Sequence, residues 1–190
     1  MRRTIKCNTN HLCIAVFTFC LLVRFAEYFL IKTDQTAIGE NVWMEEGVFR
    51  GLFIQTLSAT KPFMTANFIA AFLFGVWHMV MPLRSYVNGE MSFAAMALMS
   101  IGYIILAGIM GIKRGLLTRM TGNLWVGLGD HLFNNTVATN MLHVVCPTGA
   151  DELQIVRIMA AQLVSFSFVL AIYICRNRKS CVQIKEVEEK

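Results

Sequence analysis

The sequence contains few charged residues for its length. Only 15% of its 190 residues are Asp, Glu, Lys or Arg, whereas 56% are hydrophobic, including 14 Phe and 12 Met. Soluble domains average about 25% charged and about 45–50% apolar residues. This composition argues against a soluble globular protein and indicates that lipid is the solvent for much of the chain.

Cysteine is present but lacks the spacing of a metal or disulfide site. None of the six cysteines belongs to a Cys-x-x-Cys pair, and most lie in or near the first and last apolar runs. We interpret them as small apolar residues of membrane helices. Internal repeats and low-complexity tracts are also absent. No small-x-small cleavage site follows the first apolar run, so we expect that run to be retained as a membrane span.

The formal net charge of +5 does not indicate a nucleic-acid-binding protein. The basic residues stand at the ends of apolar runs and are not pooled into one patch, which is typical of the cytoplasmic flanks of membrane helices. We therefore expect membrane lipid, and no nucleic acid, among the partners of this chain.

Several apolar windows are long enough to cross a bilayer, which takes roughly 20 residues. Backbone amides in lipid have to be satisfied within helices, so the predicted fold is all-α, a polytopic integral membrane helix bundle of about six transmembrane helices. We expect Pro82 to end the third helix and residues 113–122 to form a loop. The predicted spans are 12–31, 42–59, 62–81, 92–112, 123–142 and 153–175.

The stretch NVWMEEGVFRGLFIQ, residues 41–55, keeps three charges in apolar surroundings. A charge at mid-membrane costs at least about 2.5–3.5 kcal/mol, which makes it a candidate functional residue. Glu46 and Arg50 are four residues apart on a helix and can form an ion pair. Glu45 lies about 100° around the helix and does not face Arg50. The spacing predicts a neutralised pair beside a carboxylate suited to general-base catalysis, the alternative being a purely structural charge cluster.

Two further predicted helices carry ionisable or amide side chains. Phe74 and His78 are one turn apart on the same face, and so are His131 and Asn135. Taken singly, each pair is consistent with hydrogen-bonded packing between helices. Taken together with the charges at 45–50, three polar groups on three helices of a small bundle point to hydrolytic chemistry.

Three motifs occur in a fixed order: EEGVFRG fits EExxxR, FGVWH fits FxxxH, and HLFNN fits HxxxN. The sequence resembles the CPBP family of intramembrane proteases, which includes type II CAAX prenyl endopeptidases and bacteriocin-processing or self-immunity proteins. The resemblance covers about residues 39–140. We accordingly predict three regions: a basic segment with the first span (1–38), a catalytic core (39–143), and a last span with a charged tail (144–190).

The resemblance implies an intramembrane endopeptidase acting on a membrane-associated substrate, either a prenylated CAAX-type protein or a bacteriocin- or pheromone-type peptide, in a bacterial plasma membrane. Glu45 would activate the attacking water and His78 would help to hold it. His131 and Asn135 would stabilise the tetrahedral oxyanion. The supporting residues would be Glu46, Arg50 and Phe74.

Two Glu and two His leave a metal mechanism open. The zincin pattern of two His four residues apart with a Glu between them is absent, and a metal site would need three or more ligands converging from separate helices. We favour no cofactor, with a divalent metal such as zinc bound by Glu45, His78 and His131 as the alternative. Two other functions stay open: a self-immunity or accessory protein that binds its partner without turnover, and a transporter subunit with a proton relay.

Overall fold

The structure is a computed structural model that describes residue 18 and residues 38–135 and 154–188, with side chains described over 42–135 and 158–178. Within these ranges the chain is helical apart from short connections and contains no strand, which confirms the all-α prediction. The elements are α1 (Ile38–Glu46), a π-helical segment (Gly47–Phe53), α2 (Ile54–Ser58), α3 (Phe63–His78), α4 (Val80–Val87), α5 (Phe93–Thr121), α6 (Trp125–Phe133) and α7 (Gln154–Glu188).

Among the described residues, three stretches are long and apolar enough to cross a membrane: Phe63–Val87, Phe93–Thr121 and Ile158–Arg178. They correspond to the third, fourth and sixth predicted spans, and the predicted total of six is not confirmed. The second predicted span is helical, but it contains the three charges and is not one of these candidates. The first span lies outside the described residues except for residue 18, and the fifth is described only as far as residue 135.

The chain divides into two compact units, Met1–Gly111 and Ile112–Lys190, called here the first and second units. In the first unit, Phe49 of the π-helical segment packs edge-on against three other rings. Its centroid lies 5.5 Å from that of Phe53, 5.2 Å from Phe74 and 6.1 Å from Trp77. Such pairs contribute about 0.5–1.5 kcal/mol each beyond area burial. These rings hold the motif-bearing helix against α3.

Helices α3 and α5 approach each other closely within the first unit. A Cβ atom added to Gly75 would lie 2.8 Å from the backbone oxygen of Ile104 and 2.9 Å from its Cα. A Cβ atom added to Gly111 would lie 3.0 Å from Cβ of Ala71 and 3.2 Å from Nη2 of Arg50. Small residues permit this close helix packing in membranes, and Gly111 in addition makes room for a guanidinium group.

The prediction that Pro82 ends the third span is wrong. Helix α3 ends at His78, and Pro82 lies in the first turn of α4. Proline is tolerated in a first turn because its missing N–H has no intrahelical partner there. The break at the end of the FxxxH motif therefore comes before the proline.

The prediction of a loop at 113–122 is also wrong, because α5 continues to Thr121. Lys113 and Arg114 are buried, with 2% and 0% of their surface exposed. Both side chains bind the carboxylate of Asp130 in α6. A shared counter-ion allows two adjacent cations to stay inside a helix where the sequence pattern indicated its end.

Candidate active site

Glu45 is a buried carboxylate of the first unit, with 4% of its surface exposed. It lies near the end of α1, and the indole Nε1 of Trp77 in α3 donates a hydrogen bond of 3.1 Å to its Oε1. Indole N–H is a donor only, so this contact fixes the orientation of the carboxylate. Sequence reasoning missed Trp77, although it directly precedes His78 in the FGVWH motif.

The ion pair predicted from spacing is present next to it. Arg50 Nε lies 3.4 Å from Glu46 Oε2, and both side chains are 1% exposed. The Arg50 Cζ atom also lies 4.2 Å from the ring centroid of Phe74. A desolvated cation over an aromatic face gains about 2 kcal/mol or more. Arg50 is therefore held by a carboxylate and by a ring.

The backbone of the first motif changes its helical form directly after the two glutamates. Gly47–Phe53 is π-helical, with α-helix before it and after it. Short π-helical insertions inside α-helices occur often at functional sites. The sequence pattern indicated a regular helix here, because spacing alone does not distinguish the two forms.

His78 is the last residue of α3, and its ring lies between two aromatic side chains. The Phe74 centroid is 4.5 Å away with the rings at 71°, and the Tyr103 centroid is 6.3 Å away in a stacked arrangement. His78 Nδ1 lies 2.8 Å from the carbonyl oxygen of Phe74. A carbonyl only accepts, so Nδ1 carries the hydrogen and Nε2 of the neutral ring is an acceptor. This tautomer suits a group that takes a hydrogen bond from water.

The structure thus brings five predicted site residues into one continuous cluster in the first unit. Phe74 connects the cluster, because its ring contacts both Arg50 and His78. Trp77 contributes the bond to Glu45 and packs against Phe49. The predicted residues in this cluster are Glu45, Glu46, Arg50, Phe74 and His78.

The remaining two predicted residues belong to the second unit. His131 lies in α6 and is 3% exposed, and Asn135 follows one turn later in a π-helical turn, half-buried. That these two side chains meet Glu45 and His78 at one substrate stays a prediction.

A polar network that the sequence did not predict lies next to the third motif. Lys113 Nζ donates to Asp130 Oδ1 at 2.8 Å, to Gln162 Oε1 at 3.1 Å and to Ser165 Oγ at 3.3 Å. Arg114 Nε donates to the second oxygen of Asp130 at 3.2 Å. Asp130 directly precedes His131, so the network connects α5, α6 and α7 next to the motif histidine.

No group of three His, Cys, Asp or Glu side chains that could hold a metal ion occurs within residues 42–135 and 158–178. The three alternative ligands named above come from the two separate units.

A family model described as type II CAAX prenyl endopeptidase Rce1-like matches residues 36–137, more than half of the chain. This range contains all three motifs. No curated protein and no solved structure gives a significant match.

Proposed function

This chain belongs to the type II CAAX prenyl endopeptidase Rce1-like family, and from that premise we propose that it hydrolyses its substrate with a water molecule activated by Glu45. Family membership makes it a CAAX-protease-type peptide hydrolase and an integral membrane protein that acts on a peptide or protein. The observation that supports the proposed mechanism is the buried Glu45 carboxylate, oriented by Trp77. The residue after Trp77, His78, presents an acceptor nitrogen.

In the proposed reaction, the Glu45 carboxylate takes a proton from a water molecule while the water oxygen attacks the scissile carbonyl carbon. The Trp77 indole binds one carboxylate oxygen and so sets the direction in which the other meets the water. His78 Nε2 accepts the second hydrogen of that water and orients its lone pair. Protonated Glu45 then gives its proton to the leaving amine, since a general base of the first step acts as the acid of the second.

The third motif supplies the oxyanion site of this proposal. His131 and Asn135 donate hydrogen bonds to the oxygen that becomes negative in the tetrahedral intermediate. Donors aimed at that oxygen stabilise the transition state, and removing one in a comparable hydrolase costs about 10²–10³ in kcat.

Glu46, Arg50 and Phe74 support the base. Glu46 and Arg50 neutralise each other, so with Glu45 the three charged residues carry one net negative charge. The ring of Phe74 covers the guanidinium, which keeps Arg50 in place beside its carboxylate partner. No metal takes part in any step of the proposed mechanism.

The proposed substrate is a prenylated CAAX-type protein or a bacteriocin- or pheromone-type peptide, and the proposed location is a bacterial plasma membrane. Three long apolar helices among the described residues support a substrate that is itself held in or at the bilayer.

The test compares wild type and Glu45→Gln in proteoliposomes, with a fluorogenic farnesylated CAAX peptide and an unprenylated hydrophobic peptide as substrates. Replacing a general base is expected to lower kcat by about 10²–10⁴. Wild-type turnover is expected to survive treatment with EDTA or phenanthroline.

Glu90→Gln is the matched control, because Glu90 is exposed in the connection between α4 and α5. Hydrogen bonds from Ser85 and Asn88 lower the pKa of its carboxyl group, so the substitution removes the same charge at neutral pH. Full activity of Glu45→Gln would refute the proposed mechanism. Protection of cells from a bacteriocin by that variant would favour the binding protein instead.

A further inference from the structure

A chain of side-chain hydrogen bonds in the second unit ends at Asn135. Lys113 Nζ donates to Gln162 Oε1 at 3.1 Å. Gln162 Nε2 donates to Asn134 Oδ1, and Asn134 Nδ2 donates to Asn135 Oδ1 at 3.5 Å. Lys113, Gln162 and Asn134 are 2%, 8% and 9% exposed, so little water competes for these bonds.

We call this chain of hydrogen bonds, from Lys113 through Gln162 and Asn134 to Asn135, the relay. The direction of its bonds follows from which groups can donate and which can accept. An ammonium group has donors only, so the Gln162 atom that faces Lys113 must be the oxygen. The amide nitrogen of Gln162 then faces Asn134 and requires an oxygen there. The Asn134 nitrogen in turn faces Asn135 and requires an oxygen. The Lys113 ammonium thereby selects one of the two orientations of each of three successive amides, those of Gln162, Asn134 and Asn135. In the selected orientation the NH2 group of Asn135 points away from Asn134.

We propose that Lys113, Gln162 and Asn134 are positioning residues that set the Asn135 amide so that its NH2 group, and not its oxygen, meets the substrate oxyanion. The inference rests on the proposed function and deepens it. A reversed Asn135 amide would present an acceptor oxygen to the developing negative charge, which would oppose the reaction.

The first member of the relay is held in place by groups outside it. Lys113 also donates to Asp130 Oδ1 at 2.8 Å and to Ser165 Oγ at 3.3 Å. The carboxylate is the counter-ion of the ammonium, and an ammonium has donors only. Asp130 is bound through its other oxygen by Arg114 at 3.2 Å, which fixes the carboxylate as well. A charged group at one end of a buried hydrogen-bond chain also polarises the bonds that follow it.

The decisive variant is Gln162→Glu, which keeps the size of the side chain and strengthens the contact with Lys113. A carboxylate has acceptors only, so Asn134 would have to turn its NH2 group toward residue 162. Its oxygen would then face Asn135, which would turn its own NH2 group toward Asn134. If the relay fixes the direction of the Asn135 amide, Gln162→Glu loses turnover. If the contact is only structural, the variant keeps its turnover and its stability is unchanged or improved.

The experiment measures kcat, KM and the thermal unfolding midpoint of Gln162→Glu in proteoliposomes. We expect kcat to fall by up to about 10²–10³, the cost of one oxyanion donor, with KM within about twofold of wild type and a midpoint that is not lowered. Ser165→Ala is the matched control, because it removes an acceptor of Lys113 that lies outside the relay, and it is expected to keep wild-type kcat.

Asn134→Asp provides a second route to the same disruption. The carboxylate that it introduces still accepts from Gln162 but cannot donate to Asn135. The Asn135 NH2 group is therefore drawn toward the carboxylate, and kcat is expected to fall similarly. If Gln162→Glu also lowers the unfolding midpoint, Asn134→Asp decides. Wild-type kcat in both variants would overturn the relay.

Binding of a phosphinate peptide, a mimic of the tetrahedral oxyanion, separates this proposal from the proposed function without requiring turnover. Wild type is expected to bind the phosphinate more tightly than the parent peptide, and Gln162→Glu is expected to lose most of that preference. A wild type without the preference would refute the oxyanion mechanism itself. If wild type prefers the phosphinate and Gln162→Glu retains that preference, the relay alone is refuted.

Discussion

The two units of the molecule bury charged groups by different means. In the first unit, Arg50 is paired with Glu46, and its guanidinium lies over the face of Phe74. In the second unit, Lys113 donates to three oxygen atoms, and the carboxylate of Asp130 is shared with Arg114. The first arrangement places a buried cation against an aromatic ring, and the second brings three hydrogen-bond acceptors to one buried ammonium group.

The difference fits the chemistry proposed for each unit. A general base has to gain and lose a proton, and in the proposed mechanism Trp77 holds one oxygen of the Glu45 carboxylate while the other meets the water. An oxyanion donor has to keep one orientation throughout the reaction, and a chain of amides anchored on a cation provides that. In the proposed mechanism, the polar groups of the first unit permit a change of charge, and those of the second unit prevent a change of orientation.

The prediction with the largest expected effect asks whether buried ion pairs contribute more to the unfolding free energy of the second unit than to that of the first. Asp130→Asn leaves two buried cations without their shared carboxylate and is expected to cost about 3–5 kcal/mol of unfolding free energy. Glu46→Gln is expected to cost about 3 kcal/mol, the low end of that range, because it leaves one cation instead of two and the ring of Phe74 still covers Arg50. Unfolding titrations with SDS in mixed micelles measure both, with Glu90→Gln as the exposed control. Equal losses for the two variants would contradict the comparison.

A second prediction concerns the close packing of α3 against α5 in the first unit. Gly75→Ala places a methyl group 2.8 Å from a backbone oxygen of α5, and backbone cannot move aside as a flexible side chain does. We expect a loss of about 1–3 kcal/mol of unfolding free energy. Gly129→Ala in α6 is the control, since a Cβ there meets nothing within 4 Å. Unaltered stability of Gly75→Ala would show that α3 and α5 are less tightly packed than described.

The smallest expected effect isolates the contact between Arg50 and the face of Phe74. A double-mutant cycle with Phe74→Leu and Arg50→Met removes each partner alone and then both. We expect a coupling free energy of about 2 kcal/mol, as for a desolvated cation over a ring. The same SDS titrations give the four stabilities. Strictly additive losses would mean that the ring fills space without attracting the cation, and the description of the first unit would then be wrong.

Local patterns were enough to predict the helical fold, the motif set and the contact between Glu46 and Arg50, because these depend on residues a few positions apart. The bond from Trp77 to Glu45 joins residues 32 positions apart, and nothing in an aromatic-rich helix marks one indole as a donor to a carboxylate. The buried position of Lys113 depends on Asp130 and Gln162, 17 and 49 residues away. A basic pair at the end of an apolar run is typical of a loop until its distant partners are known.

The length of α5 has a consequence for the supply of water. Its 29 residues extend over about 43 Å, whereas the hydrocarbon layer of a bilayer is about 30 Å thick. A bilayer that covers α5 from Phe93 to Ile112 places Lys113 at the level of the lipid headgroups. Each hydrolysed bond consumes one water molecule, and at that depth the aqueous phase is directly adjacent. In a thicker bilayer, Lys113 and Arg114 of α5 would lie closer to the hydrocarbon layer. The thickness of the host membrane would therefore influence the rate of hydrolysis.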